Sequence, residues 1–403
     1  MLVSPTAGAR HLLSKVRAGF NGISIKNDNK SNYLNRLNLV NNRISKYHSW
    51  SNIVTKIDMY PQRTGSVMKQ PNENTLDIVI AWVDGADPIL KQKREQYKPT
   101  KEVASDAITD TRFASDDEIY YNIASIIKYV PFCRHIYVVT DQQKPAFIDE
   151  FAKQGICSAD KIRIVDHKDI FLGYEEFLPT FNTRSIETMI WNIQGLSDYF
   201  IYMNDDFFFN QPVTIDDFLD SEKLIIHGEW RKSAALNAKL NFRKSRFKLF
   251  GTSIQPRHTI AQMLSAKILG MNQFFEIHHY PHIVDKNILK SHLLNHPQLL
   301  TEQIKYKFRD VAQVNPITLM NHLKIQKSEA HLKPNTSINY LKNENSVEDF
   351  IIALEDKTIK YGCIQSLDLL KPDLYKKISQ AMRHKFLDYL PNSVLENTNN
   401  EPK

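Results

Sequence analysis

Asp205 and Asp206 follow Asn204 at the end of Tyr199-Phe200-Ile201-Tyr202-Met203, a run with no charged residue. Two adjacent carboxylates at the end of a buried strand can ligate a hard cation that bridges phosphate oxygens, and magnesium is the natural candidate. The same dipeptide can equally form an Asx-type turn that caps the strand. A second strand-end acid, Asp84, opens Asp84-Gly85-Ala86-Asp87-Pro88. Alone it reads as an ordinary turn, but two acidic strand ends in one parallel sheet can face one crevice. His278, His279 and His282 crowd a short segment with Pro281 and Asp285. They offer a base near neutral pH, or are simply loop histidines; without a cysteine beside them they make a poor zinc frame. Arg112, Arg309 beside Asp310, and the stretch Arg231, Lys232, Arg243, Lys244 and Arg246 offer cations to phosphates. Most of that stretch is expected to be solvated, and the aromatic residues within it, Trp230, Phe242, Phe247 and Phe250, to be core. There is no Walker loop, no GxGxxG after a strand and no GxSxG elbow, which argues against kinases, dehydrogenases and esterases.

These residues need strands to hold them, and the hydrophobic pattern supplies them. Leu76 to Val83 is a continuous apolar, β-branched run ended by Asp84-Gly85, as expected of a buried parallel strand and turn. Ile119, Ile123, Ile126 and Ile127 recur at helical spacing, predicting a helix from about Asp116 to Tyr129 behind an N-cap at Ser115 and ended by Pro131. Strands at 135–140, 162–166 and 199–203 follow, with helical stretches between them. The alternation predicts an α/β fold: a mostly parallel sheet flanked by helices, Rossmann-like or GT-A-like, with ligands at the carboxyl ends of its strands and a largely helical C-terminal portion. The boundaries divide the chain into a basic polar extension (1–72), a catalytic domain (73–391, with the core sheet at 73–222 and its helical completion at 223–391) and a polar tail (392–403).

The 403 residues, 42% hydrophobic and 24% charged, suffice for a sizeable core. A net charge of +7 suits nucleotides, phosphorylated glycans or an anionic lipid surface. No nucleic-acid partner is expected. Three scattered cysteines argue against a disulfide framework and for a reducing compartment. No signal-peptide core and no bilayer-spanning apolar run is visible, so a cytoplasmic location with at most peripheral membrane contact is expected.

Several of these segments together resemble the Stealth family, which includes bacterial capsular polysaccharide phosphotransferases and the animal N-acetylglucosamine-1-phosphotransferase catalytic subunit. The resemblance runs from Asp77 through Trp82, Asp84, Gly85 and Pro88; then Arg112-Phe113, Asp117-Glu118, 135–141, 165–167, Leu178 to Asn182, Ile186-Glu187 and Asn204 to Phe208; and, more weakly, His279 to His282 with Asp285, Phe308 to Asp310, and 364–368. It implies transfer of a hexose-1-phosphate, N-acetylglucosamine-1-phosphate above all, from a UDP-sugar to a hydroxyl of a growing polysaccharide, with UMP leaving. It further implies magnesium, or manganese in its place, on Asp205 and Asp206, His279 as base with His282 as substitute, and Arg309 steadying the transferred phosphate. Asp84 and Arg112 would line the donor site, Trp82 or Gly85 would lie near the nucleotide, and Asp117 and Asn182 would also contact substrate. Contact with the inner face of the cytoplasmic membrane or with capsule-assembly proteins would be peripheral. Two other readings compete: a metal-dependent glycosyltransferase that releases UDP, and a glycan-binding component of capsule assembly.

Overall fold

The run starting at Leu76 becomes the middle of a sheet. The computed structural model describes residues 75–98, 115–221, 223–250, 254–365 and 367–396, all within the unit Pro71–Lys403. The extension 1–72 and Arg112 lie outside them. Strand β1 (Leu76–Ala81) pairs in parallel with β2 (Cys133–Thr140) on one side and β4 (Tyr199–Asn204) on the other. Beyond β2 lies β3 (Ile162–Asp166), also parallel. The strand His282–Asp285 closes the other edge, antiparallel to β4. Ile78, Val79 and Ile80 are fully buried, which is why this strand reads as unbroken hydrophobicity rather than alternation. The expected mostly parallel sheet with flanking helices is the observed architecture.

Burial of one charge ties the sheet's lower end together. The Asp77 carboxylate accepts from Arg134 Nε at 2.9 Å, His135 N at 3.1 Å and Ser197 N at 2.8 Å. Burial alone would raise its pKa, but Arg134 and the backbone donors outweigh it and hold the acid below its ordinary range.

The helix Glu118–Tyr129 starts two residues later than expected. Its N-cap is Asp117, in the left-handed region at φ 70°, with no side-chain cap. Ser115 does other work: its Oγ accepts the Trp82 indole N–H at 3.1 Å. Past residue 223 the chain is helical, as expected, with Ser233–Phe250, His258–Ile268, Lys286–Asn295, Pro316–Gln326 and Pro372–Lys385 among its helices. Short strands run between them. One of these, Tyr361–Ile364, pairs antiparallel with β5 (Phe207–Phe209), the strand directly after Asp205-Asp206. Residues 392–396, assigned to a polar tail, form a short helix that buries Val394. The aromatics of the basic stretch depart from the core expectation. Trp230, Phe242, Phe247 and Phe250 are all exposed, because the helix carrying the last three packs against helix His258–Ile268 through Leu236 and Leu240 only. Among the described residues no helix is long and apolar enough to cross a membrane, and the three cysteines are free.

Candidate active site

Ala81 pairs with both Asn204 and Val139, so the segments leaving β1, β2 and β4 start side by side. The tight turn between β4 and β5 is Asp205-Asp206, both half-buried. Burial pushes the Asp205 carboxyl well up, and the charge on Asp206 pushes it further. Burial likewise raises Asp206, opposed by the Cys363 thiol and by Arg309. The Cys363 Sγ–H donates to Asp206 Oδ2 at 3.5 Å, and Ile364 N donates to the Asp206 carbonyl at 2.7 Å. Asp206 Oδ1 has no hydrogen-bond partner. From the other side Asn122 Nδ2 donates to Asn204 O at 2.8 Å, docking helix Glu118–Tyr129 on the turn. This brings in Glu118, whose carboxyl is raised by burial and then by Asp116 and Asp205. Sequence reading passed over Glu118 as a metal or charge partner, because an acid in a first helical turn is ordinary. Crowded, poorly solvated carboxylates with an orphaned oxygen fit a hard divalent cation. A separate trio, Glu229, Glu276 and His278, brings one ligand atom from each residue within 4.8 Å. Its carboxylates are already bridged by Arg231, at 2.7 Å and 2.9 Å.

At the end of β1 the Asp84 side chain accepts from Ala86 N at 2.9 Å, forming an Asx turn around Gly85. Gln143 braces this turn, accepting from Asp84 N at 3.0 Å and donating to Asp84 O at 2.8 Å. Asp84 and Asp117 both raise the Tyr120 hydroxyl, which burial, the larger cause, helps push up to about 12. The charges of both acids thus reach one tyrosine on the helix that docks on the Asp205-Asp206 turn. Trp82 is placed differently from expectation: it is buried in the main core and its indole N–H is taken by Ser115.

The histidines sort themselves. His279 is exposed, its ring in contact range of Phe207 (centroids 6.2 Å apart), Tyr340 (6.1 Å) and His258 (5.4 Å). Desolvation lowers its pKa, and His278 and Arg309 lower it further. His282 Nε2–H instead donates to the His278 carbonyl at 3.0 Å, closing its own loop, and burial pushes this imidazole down to about 3. Arg309 donates to Thr183 Oγ1 at 2.9 Å. Its charge bears on Asp206, His279 and the buried Glu187, so the acid pair, the base candidate and the arginine form one constellation.

What places Arg309 is the segment Phe181–Ser185. Asn182, expected at the substrate, is fully buried; its Nδ2 faces Phe308 O at 3.0 Å, Tyr306 O at 3.2 Å and Gln313 Oε1 at 2.9 Å, while its Oδ1 caps the helix Thr183–Met189 through Arg184 N. The NH2 group of that amide serves the loop carrying Arg309 and its oxygen caps the helix, so both ends are engaged within the protein. Buried Arg184 donates to Asp310 O at 2.9 Å and to Pro256 O at 2.6 Å, joining the same loop to the segment before His258. Asn182→Ala removes donors from buried carbonyls. We expect it to cost about 2–4 kcal/mol and to lower kcat through Arg309 misplacement, checked by urea denaturation and steady-state kinetics on the folded fraction.

Comparison with known proteins places these residues in context. Residues 112–226 match the model of Stealth protein CR2, conserved region 2. Over that region the chain is similar to the Stealth family. The matched stretch holds Asn182, Glu187, Asp205 and Asp206; His279 and Arg309 lie beyond it. A capsular polysaccharide phosphotransferase, cps1A of Actinobacillus pleuropneumoniae, is 37% identical over 168 residues, 41% of this chain and 43% of its own length. The exopolysaccharide phosphotransferase SCO6021 of Streptomyces coelicolor is 44% identical over 138 residues, 34% of this chain and 24% of its own. The alignments thus span less than half of these relatives. Among solved structures, the galactosyltransferase LgtC covers 78% of this chain and 95% of its own at 12% identity, with a TM-score of 0.38.

Proposed function

We propose that this protein is a Stealth-type capsular polysaccharide phosphotransferase that moves a hexose-1-phosphate, N-acetylglucosamine-1-phosphate in the first instance, from a UDP-sugar to a hydroxyl of a growing glycan. The observation that carries the reading is the raised acid pair Asp205-Asp206, with its unpartnered oxygen, at parallel strand ends within the field of Arg309 and near His279. The phosphotransferase names of the relatives support it.

In the proposed reaction the acceptor oxygen attacks the phosphorus next to the sugar. The bond from that phosphorus to the bridging oxygen breaks, UMP leaves with the bridging oxygen, and the anomeric carbon is untouched. His279, held neutral, takes the acceptor proton. Arg309 offsets the charge that gathers on the transferred phosphoryl oxygens. With magnesium, or manganese, on Asp205 and Asp206, charge on the diphosphate would be neutralised and its oxygens aligned. Asp84 and Asp117, whose charges both bear on Tyr120, would line the donor end. Arg112, outside the described residues, would join the donor site, and the basic extension, also outside them, would make any peripheral contact with the membrane face or assembly partners.

The test is incubation of the full chain with UDP-N-acetylglucosamine, magnesium and a capsule-derived acceptor, followed by phosphorus NMR of the polymer. A phosphodiester signal together with free UMP supports the proposal; UDP release without a phosphodiester makes the protein a glycosyltransferase and overturns it.

A further inference from the structure

His258, the first residue of helix His258–Ile268, was not singled out by its sequence context, yet it is the ring stacked on His279, with planes 29° apart. Two amide side chains face it, and their own bonds fix which way they point. Gln262 Oε1 accepts from Ile277 N at 2.9 Å and Gln262 Nε2 donates to Ile277 O at 3.0 Å. Turning the amide over would break both bonds. The same NH2 group lies 2.8 Å from His258 Nδ1. On the other side Asn315 Oδ1 accepts from Thr318 N at 2.7 Å, which leaves the Asn315 NH2 group 3.4 Å from His258 Nε2.

A donor therefore faces each ring nitrogen. An imidazolium has two N–H groups and no acceptor, so a proton added to His258 would set donor against donor on both sides. The neutral ring has one acceptor, and the shorter contact marks it as Nδ1. The proton then belongs to Nε2, where 3.4 Å is a contact rather than a bond. The charged and titratable groups around the ring act in the same direction. Besides burial, which is the largest cause, His279, Arg184, His282 and Arg309 all oppose a positive charge there.

We propose that His258 is a positioning residue for His279: an imidazole locked as its neutral Nε2–H tautomer, walling one face of the base. The inference rests on His279 being the base. A neutral wall matters because His279 becomes positive when it takes the acceptor proton, and a charged neighbour in stacking range would oppose that step. His258 holds the ring in place without competing for the proton.

Histidine-selective nitrogen-15 NMR of the full chain, with the His258 signals assigned from H258F, tests the lock without turnover, so a failure here is separable from failure of the proposed reaction. One protonated and one unprotonated nitrogen, with Nδ1 unprotonated throughout about pH 5.5 to 8.5, is the expected result. A His258 that titrates in that range, or that carries its proton on Nδ1, overturns the inference. Kinetics supply the second arm. H258A is expected to lose about 100-fold in kcat through misplacement of His279, and H258F, which restores a neutral ring, to recover at least about tenfold of it. Q262E presents a carboxylate to Nδ1, invites a proton onto the ring, and should move the acid-side fall in activity to higher pH. H258F as inactive as H258A, with an unchanged Tm, would mean that the ring nitrogens do chemistry, and would overturn the wall.

Discussion

Asp206→Asn is expected to lower kcat/KM for sugar-phosphate transfer by at least about 1,000-fold while leaving the metal-free protein as stable as before, or more so. The two effects share one cause. Asp206 Oδ1 bonds to nothing and Oδ2 accepts only from the Cys363 thiol, so an amide of the same shape forfeits no bond the carboxylate has. It does remove a negative charge beside Asp205, which that charge raises. Differential scanning calorimetry with chelator, set beside the rates, checks both halves; a D206N enzyme within tenfold of wild type would remove Asp206 from the metal site. The same reasoning fixes a pH dependence. Both acids have folded-state pKa values above their ordinary ones, so the folded state holds their protons more tightly than the unfolded state does. Their contribution therefore destabilises the metal-free protein at neutral pH, and is relieved as the pH falls through the raised values toward the ordinary carboxylate range. Metal-free Tm should accordingly gain from these groups on going from about pH 8 to about pH 6, and magnesium should flatten the trend.

His279→Ala should lower kcat by about 100- to 10,000-fold, the range for loss of a general base, and His282→Ala by about tenfold or less. The difference follows from what each ring already does. His282 spends Nε2–H on the His278 carbonyl and is pushed down to about 3 by burial, whereas His279 stands exposed beside Phe207 and within the field of Arg309. Because His279 acts in its neutral form and its pKa is lowered, the acid limb of kcat/KM should lie below the ordinary histidine range. Single-turnover rates across pH for both variants decide the matter; a larger loss for H282A than for H279A would exchange their roles.

The strands were legible because each is a local pattern: two unbroken apolar runs and two β-branched segments, each ending at a polar residue, gave β1 to β4 and put Asp84 and Asp205-Asp206 at the same edge. What depends on distant residues was not legible. Asn182 and Phe308 lie 126 positions apart, and nothing near Asn182 says that its amide is used up on the loop of Arg309 rather than on a ligand. Trp82, expected near the nucleotide, has its indole N–H taken by Ser115, 33 positions away, and sits in the main core. Tyr361–Ile364, four residues long, has too little pattern to be read as the strand that braces Asp206. His258 gave no signal either, because its role comes from the amide orientations of Gln262 and Asn315, which only the folded backbone fixes.

The central claim concerns which bond to phosphorus breaks, and one label decides it. A UDP-sugar carrying radioactive phosphorus only at the position next to the sugar would be incubated with the full chain and acceptor, and the polymer separated from nucleotide. Label in the polymer, with unlabelled UMP released, is the predicted result; label remaining in the nucleotide as UDP, with sugar added to the polymer, would contradict it.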